Sequence, residues 1–207
     1  MEIVSLPPPR KKSEVSVEQC LATRRSVRAF RKTPLALADI GQLLWAGQGL
    51  TGPGGKRAAP SAGGFYPLET YLVAGNVEGL SPGVYRYSPR RHELVPLAAG
   101  DKWEEMAAAA WNQECVSSAA AIIAFTAIYR RVTRKYPERG VRLVDMEAGH
   151  AAENVLLQAV ALGLGSVVLG SCCPDAMKRI LRPGAGEEPL SMVAVGKPSR
   201  RPKGLLR

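Results

Sequence analysis

The chain has 207 residues, 46% hydrophobic and 22% charged, which places it in the ordinary globular range with one domain as the default. No stretch reaches the roughly 18 to 20 uninterrupted apolar residues that cross a bilayer, and the basic, Pro-rich residues 1–12 lack an apolar signal region, so a cytoplasmic protein with no membrane partner is expected. The net charge of +10 raises a nucleic-acid surface, but Lys and Arg fall in scattered pairs (Arg24 and Arg25, Arg90 and Arg91, Arg130 and Arg131, Arg200 and Arg201) without a basic stripe interleaved with stacking aromatics.

Pro7, Pro8 and Pro9 remove backbone donors, so residues 1–14 are expected to form an extended arm on a surface, with a single domain over 15–207. Ser16 with Gln19 three positions on is a capping-box pattern, and it predicts a short helix to about Arg24. A second helix is predicted from residue 38 or 39, with Ile40, Leu43 and Leu44 near helical spacing, failing in the glycine-rich loop 47–55. Residues 69–74 read as a buried strand, and 84–87 with 93–95 as a hairpin around a Ser-Pro-Arg-Arg turn.

The Ala-rich stretch 101–111 reads as helix. Residues 119–125 form an apolar run best taken as a central strand, although periodicity alone does not separate it from a buried helix. The longest helix is predicted over 141–162, ended by Gly163 and Gly165 and apolar on nearly all sides in its second half. A strand over 166–169, a Pro-opened helix over 174–181 and a strand over 190–195 follow, then a basic tail over 196–207. The elements do not alternate strictly, and no Gly-x-Gly-x-x-Gly follows a strand. An α+β layer fold therefore fits better than a doubly wound sheet.

Cys20, Cys115, Cys172 and Cys173 show no C-x-x-C spacing, and His92 and His150 stand far apart, so no zinc site is expected. Cys172 and Cys173 read first as small apolar residues. Residues 24–28, Arg-Arg-Ser-Val-Arg, gather guanidinium forks that suit a phosphate or the carbonyl edge of a heterocycle, or merely the negative end of a helix. Residues 60–67, Pro-Ser-Ala-Gly-Gly-Phe-Tyr-Pro, combine rigid prolines with glycines that let backbone approach a flat ligand. The loop 165–173 leads from a strand toward a helix start, where free amides can face an anion or an electron-rich ring atom.

Taken in order, Arg-Arg-Ser-x-Arg, Pro-Ser-Ala-Gly-Gly-x-Tyr-Pro-x-Glu, the run Glu147 to Asn154 and Gly163-Leu-Gly-Ser resemble the nitroreductase superfamily, specifically its SagB-like branch, over about residues 15–205. The resemblance implies a mainly antiparallel central sheet flanked by helices, and a homodimer with FMN at the subunit interface. It implies that Arg24, Arg25, Ser26 and Arg28 hold the phosphate, ribityl and pyrimidine parts of FMN and that Ser61, Ala62 and Gly63 line its ring. Gly170 and Ser171 would set a backbone amide near the hydride-accepting nitrogen, and Arg200, Arg201 or Lys203 would cap the phosphate. Many family members have Gly-Gly-Phe where this chain has Gly170-Ser171-Cys172-Cys173.

The branch assignment rests on residues 134–140, Arg-Lys-Tyr-Pro-Glu-Arg-Gly, in which Lys135 and Tyr136 match a proton-transferring pair of azoline oxidases. Aromatising an azoline requires a proton to leave one carbon as hydride leaves the next, so a flavin needs a base beside it. An exposed lysine is a poor base near neutral pH, and burial beside Arg134 and Arg139 is expected to make Lys135 one. Pro137 disfavours helix at Tyr136 and would aim the pair into a cleft. Glu147, His150 and Asn154 share a helix face and are expected to form a buried network at the dimer interface, outside the catalytic set.

The expected function is an FMN-dependent dehydrogenase acting on a small molecule or peptide azoline. An NAD(P)H-driven nitroreductase or quinone reductase is the alternative. A basic nucleic-acid-binding module is the alternative of another class, and nucleic acid is not the expected partner.

Overall fold

The sheet's central strands carry almost unbroken apolar runs because both of its faces are buried. A computed structural model describes residues 1–199, and in it β3 (Leu68–Ala74), β6 (Ala121–Ala127) and β8 (Glu188–Pro198) lie side by side and antiparallel. Side chains alternate across a strand. Leu72, Ile123, Phe125, Val193 and Val195 therefore enter one core, and Tyr71, Val73, Ile122, Ala124, Met192 and Ala194 enter the other.

Around these run β1 (Val4–Ser5), α1 (Val17–Thr23), β2 (Phe30–Arg31), α2 (Leu37–Gln48), β4 (Gly83–Ser88), β5 (Glu93–Ala99), α3 (Trp103–Ala109), α4 (Glu114–Ser117), α5 (Arg130–Thr133), α6 (Gly140–Ala161), β7 (Gly165–Leu169) and α7 (Pro174–Leu181). Two 3-10 turns, Pro53–Gly55 and Ala62–Gly64, punctuate the glycine-rich loops. The strand order is β1-β5-β4-β3-β6-β8-β2, with β7 also paired to β8, and every one of these strand pairings is antiparallel. This is the α+β architecture expected, a mainly antiparallel sheet with helices on both faces.

Local chemistry sets the element ends. The Ser16 hydroxyl accepts from the Gln19 amide at 3.2 Å while the Ser16 amide donates to the Gln19 side chain at 2.8 Å, a reciprocal cap of the kind worth about 1 kcal/mol. At the far end of α6, Gly163 takes φ 68°, its amide donates to the Val160 carbonyl at 2.9 Å, and the Leu164 amide donates to the Ala159 carbonyl at 2.8 Å. That paired closure needs a left-handed residue, which glycine supplies without strain. Helices α2 and α6 approach closely at Gly47, where a β-carbon would sit 3.2 Å from Val155 and 3.3 Å from Phe125.

Three boundaries differ from expectation. Leu6, in the Pro-rich segment, is buried in the core, the Leu6 amide donates to the His92 carbonyl at 3.0 Å, and β1 pairs with β5, so this segment does more than lie on a surface. Strand β8 continues through Pro198 because β2 pairs with Lys197 and Pro198, so the tail cannot start at Gly196. The Ala-rich helix is shorter than 101–111: Trp111 and Asn112 take positive φ, and the chain turns before α4. Among the described residues no helix is long and apolar enough to cross a membrane.

Candidate active site

Helix α1 ends at Arg24, whose amide donates to the Cys20 carbonyl at 2.8 Å. The chain then runs extended past the start of β7: Ser26 bridges Ser166, and the Val27 amide donates to the Ser166 carbonyl at 2.9 Å. This fixes the backbone of residues 24–28 and leaves Arg25, Ser26 and Arg28 exposed, with Arg24 half-buried. Arg24 lies 3.6 Å from Glu153 of α6, and Arg25 folds back onto the Ala22 and Arg24 carbonyls at 3.1 and 2.7 Å. Positive charge exceeds negative here, which suits an anion.

Gly170 and Ser171 follow the last residue of β7 and are exposed. The Cys173 amide donates to the Ala109 carbonyl at 2.8 Å, anchoring the loop to α3. A β-carbon on Gly170 would meet nothing within 4 Å, so a planar ligand has room over that backbone. Cys172 is half-buried and packs against the core on the α7 side, in keeping with the apolar reading.

The Pro60 to Pro67 loop is held from within. The Ser61 hydroxyl accepts from the Tyr66 amide at 2.9 Å, and Gly63 and Gly64 take φ 61° and 69° in the turn that follows. From the other side, the Tyr136 amide donates to the Val132 carbonyl at 2.9 Å, and the Tyr136 carbonyl accepts from the Gly140 amide at 2.7 Å, linking α5 to α6. The two segments meet at a cavity of about 540 Å³ whose wall includes Ala62, Gly63, Lys135, Tyr136 and Leu143. The Phe65 and Tyr136 rings meet edge to face with centroids 6.4 Å apart, an apolar wall beside the phenol.

The structure thus joins Ala62 and Gly63 to Lys135 and Tyr136. It keeps the Arg24 to Arg28 segment and Gly170 with Ser171 apart from that wall, strung along β7. Arg200, Arg201 and Lys203 lie outside the described residues. Lys135 is exposed, as are Arg134 and Arg139. The burial expected to make Lys135 a base is therefore not supplied by this chain's own fold, although Lys135 lies on the cavity wall.

Within one subunit the expected network of Glu147, His150 and Asn154 is not made. His150 is exposed, Asn154 is half-buried, and no hydrogen bond joins the three among the described residues. Glu147 is 2% exposed, and neither carboxylate oxygen has a hydrogen-bond partner. Burial pushes its carboxyl up to about 7, against smaller opposing effects of the Ser61 hydroxyl and the Arg57 guanidinium. Arg57 is itself fixed: it donates to Gln48 Oε1 at 2.7 Å and the Leu68 carbonyl at 3.2 Å, and its guanidinium stands 4.9 Å from the Tyr66 ring centre. Sequence reasoning missed Arg57, while Tyr66 entered only within a family motif and Glu147 only within a family motif and the expected helix-face network.

A layered, mainly antiparallel sheet, an arginine segment beside β7, an open glycine loop past its end and a second glycine loop facing a Lys-Tyr pair define an oxidoreductase of the nitroreductase class. The nitroreductase family model matches residues 21–197, and the chain belongs to that family. It is 40% identical over 184 residues to MJ1384 of Methanocaldococcus jannaschii, a nitroreductase-family protein, across 89% of this chain and 92% of that one. A nitroreductase-family structure from Ralstonia eutropha superimposes with a TM-score of 0.85 at 29% identity, over 97% of this chain and 91% of that one. The microcin B17-processing protein McbC of Escherichia coli is 29% identical over 139 residues, covering 64% of this chain and 51% of its own.

Proposed function

We propose that the chain is an FMN-dependent dehydrogenase of the SagB type, removing a hydride and a proton from adjacent atoms of an organic substrate such as a peptide azoline. The observation that carries this reading is the meeting of Lys135 and Tyr136 with Ala62 and Gly63 on one cavity wall. The similarity to a microcin B17-processing protein supports the peptide side of it.

The residues present fit FMN. Arg25 and Arg28 are exposed cations free of acidic partners among the described ion pairs, as a phosphate requires. The backbone at Gly64 and Gly170 is open, with nothing within 4 Å of the point a β-carbon would take, as a flat ring requires. Bound flavin supplies a two-electron hydride acceptor. Ser61, Ala62 and Gly63 would line its ring, Ser26 would reach the ribityl or pyrimidine portion, and the Gly170 to Ser171 backbone would face its reactive edge.

The arginine segment and the Lys-Tyr cavity stand apart within one subunit, and a second copy of the chain would close them into one site. Val17 and Leu21 on α1 are 65% and 58% exposed, and Val141 and Met146 on α6 are 51% and 49% exposed, apolar side chains that such a second copy would cover. Covered by it, Lys135 would leave water and become able to accept a proton at Nζ. Tyr136 Oη would hold the substrate's nitrogen or pass the proton on, and the Phe65 ring would keep water from the reacting carbon.

An NAD(P)H-driven reduction of nitroaromatics or quinones is the second reading, favoured by the identity to MJ1384 over nearly its whole length. The two readings separate on Lys135→Ala and Tyr136→Phe. Dehydrogenation of a model thiazoline peptide should fall by about 10²–10⁴ in each, while nicotinamide-driven reduction stays within a few-fold. Equal loss of both activities, or retention of both, contradicts the assignment.

A further inference from the structure

The cavity has a buried acid behind its wall that no step above uses. Glu147 follows Leu143 by one helical turn, so its carboxyl lies on the same face as a residue lining the cavity, but one turn deeper. It is 2% exposed, and both oxygens lack a partner. An ionised carboxylate left this way is costly, and a neutral acid is far less so.

Ser61, the residue before Ala62 of the cavity wall, acts on Glu147. Its hydroxyl already accepts one hydrogen bond, from the Tyr66 amide at 2.9 Å. A hydroxyl has a single proton to give. Ser61 is near enough to favour the charged form of Glu147, although the geometry falls short of a full hydrogen bond. Arg57 acts on Glu147 through space only: its Nη1 donates to Gln48 and Leu68, and no donor reaches a Glu147 oxygen. Glu69 of β3, Arg131 of α5 and Tyr66 bear on Arg57, and Gln48 of α2 contributes a neutral amide whose Nε2 is also unpaired.

We propose that Glu147 is a positioning residue that aims the Ser61 hydroxyl: ionised, it draws the hydroxyl proton to itself, and protonated, it donates to Ser61 and leaves that proton free for an acceptor atom of the cavity ligand. The ligand is a planar heterocycle with a carbonyl or ring-nitrogen acceptor. This rests on the reading of the cavity as a flavin site. The switch operates near neutral pH, where the raised carboxyl of Glu147 changes charge. It makes Ser61 a ligand-directed donor on the acid side and a silent one on the alkaline side.

Two readouts test it. In ligand-free protein carrying carboxyl-labelled glutamate, carbon NMR should show one glutamate titrating near pH 7, lost in Glu147→Gln and moved to higher pH in Ser61→Ala, with native circular dichroism in both variants. An ordinary acidic midpoint for Glu147, or one that Ser61→Ala leaves in place, overturns the proposal. FMN affinity is then measured for wild type and Glu147→Gln, whose amide mimics the protonated acid; their ratio cancels the ionisation of the FMN phosphate. The variant should bind equally at about pH 5.5 and roughly three- to tenfold more tightly at about pH 8.5, the worth of one neutral hydrogen bond. A ratio that stays at one while both proteins bind FMN overturns the switch alone. Failure of the wild type to bind FMN at any pH overturns the flavin reading itself.

Discussion

The hydroxyl of Tyr136 lies 3.4 Å from the point a β-carbon on Gly63 would occupy, and the Phe65 ring comes within 2.6 Å of the same point. Gly63 has φ 61°, so any side chain there is strained as well as crowded. Gly63→Val should cost on the order of 1–2 kcal/mol in thermal unfolding and weaken flavin binding by filling the cavity wall. Gly54→Ala, at φ 72° with open space around it, is the control: it should cost stability without touching flavin affinity. Wild-type flavin affinity in Gly63→Val would contradict the placement of the ring.

In the proposed reading the exposed guanidiniums of Arg25 and Arg28 hold the FMN phosphate. Arg28→Ala should weaken FMN roughly 10- to 100-fold, the worth of a charge-assisted hydrogen bond, and leave riboflavin affinity within about twofold. Calorimetry with both ligands checks it. Equal weakening of the two would place Arg28 on the ring or remove it from the site.

Glu147 also links stability to pH. Its carboxyl is raised by burial from the usual 4.5 to about 7, so the folded chain holds its proton more tightly than the unfolded chain. The stabilising contribution is full below about pH 4.5, and it is lost as pH rises through about 7, on the order of 3 kcal/mol in total. In urea titrations, wild type should lose stability relative to Glu147→Gln across that window and stay level above about pH 8. A difference independent of pH would mean that the carboxyl is not buried as described.

Glu187, 3% exposed, ties three strands of the sheet together. Tyr71 of β3 and Thr126 of β6 both donate to its Oε2 at 2.7 Å, the Gly184 amide donates to its Oε1 at 3.1 Å, and Arg86 of β4 lies 3.6 Å away. Glu187→Ala leaves two buried hydroxyls unpaired and should cost on the order of 2–4 kcal/mol. Tyr71→Phe, which removes a donor and leaves no orphan on the phenol, should cost about 1 kcal/mol. Thermal or urea unfolding of the two variants gives the comparison, and equal losses would deny Glu187 its central place.

Much of the fold is legible because its cues are local. The Ser16 and Gln19 pair announces α1, Gly163 announces the end of α6, and the apolar run from Ala119 reads as a strand, which in the structure runs over Ala121–Ala127. The two-residue strands Val4–Ser5 and Phe30–Arg31 carry no periodicity of their own and form only because β5 and β8 offer open edges. In the site, glycine and proline mark the Ser61 to Gly64 turn, but nothing in the spacing places Tyr136 over Gly63; the fold brings the two together. Burial misled twice. Lys135 carries a motif and lies exposed. His150 follows Glu147 by three residues, about 60° round the helix, which is enough to pass from core to solvent.

The central claim is that this chain works through FMN. The most direct test is the absorption spectrum of the purified protein, followed by release and identification of any chromophore. The account predicts flavin bands and FMN as the released species, or stoichiometric uptake of added FMN. A colourless protein that refuses added FMN contradicts both oxidoreductase readings of the cavity and returns attention to the +10 charge and a nucleic-acid ligand.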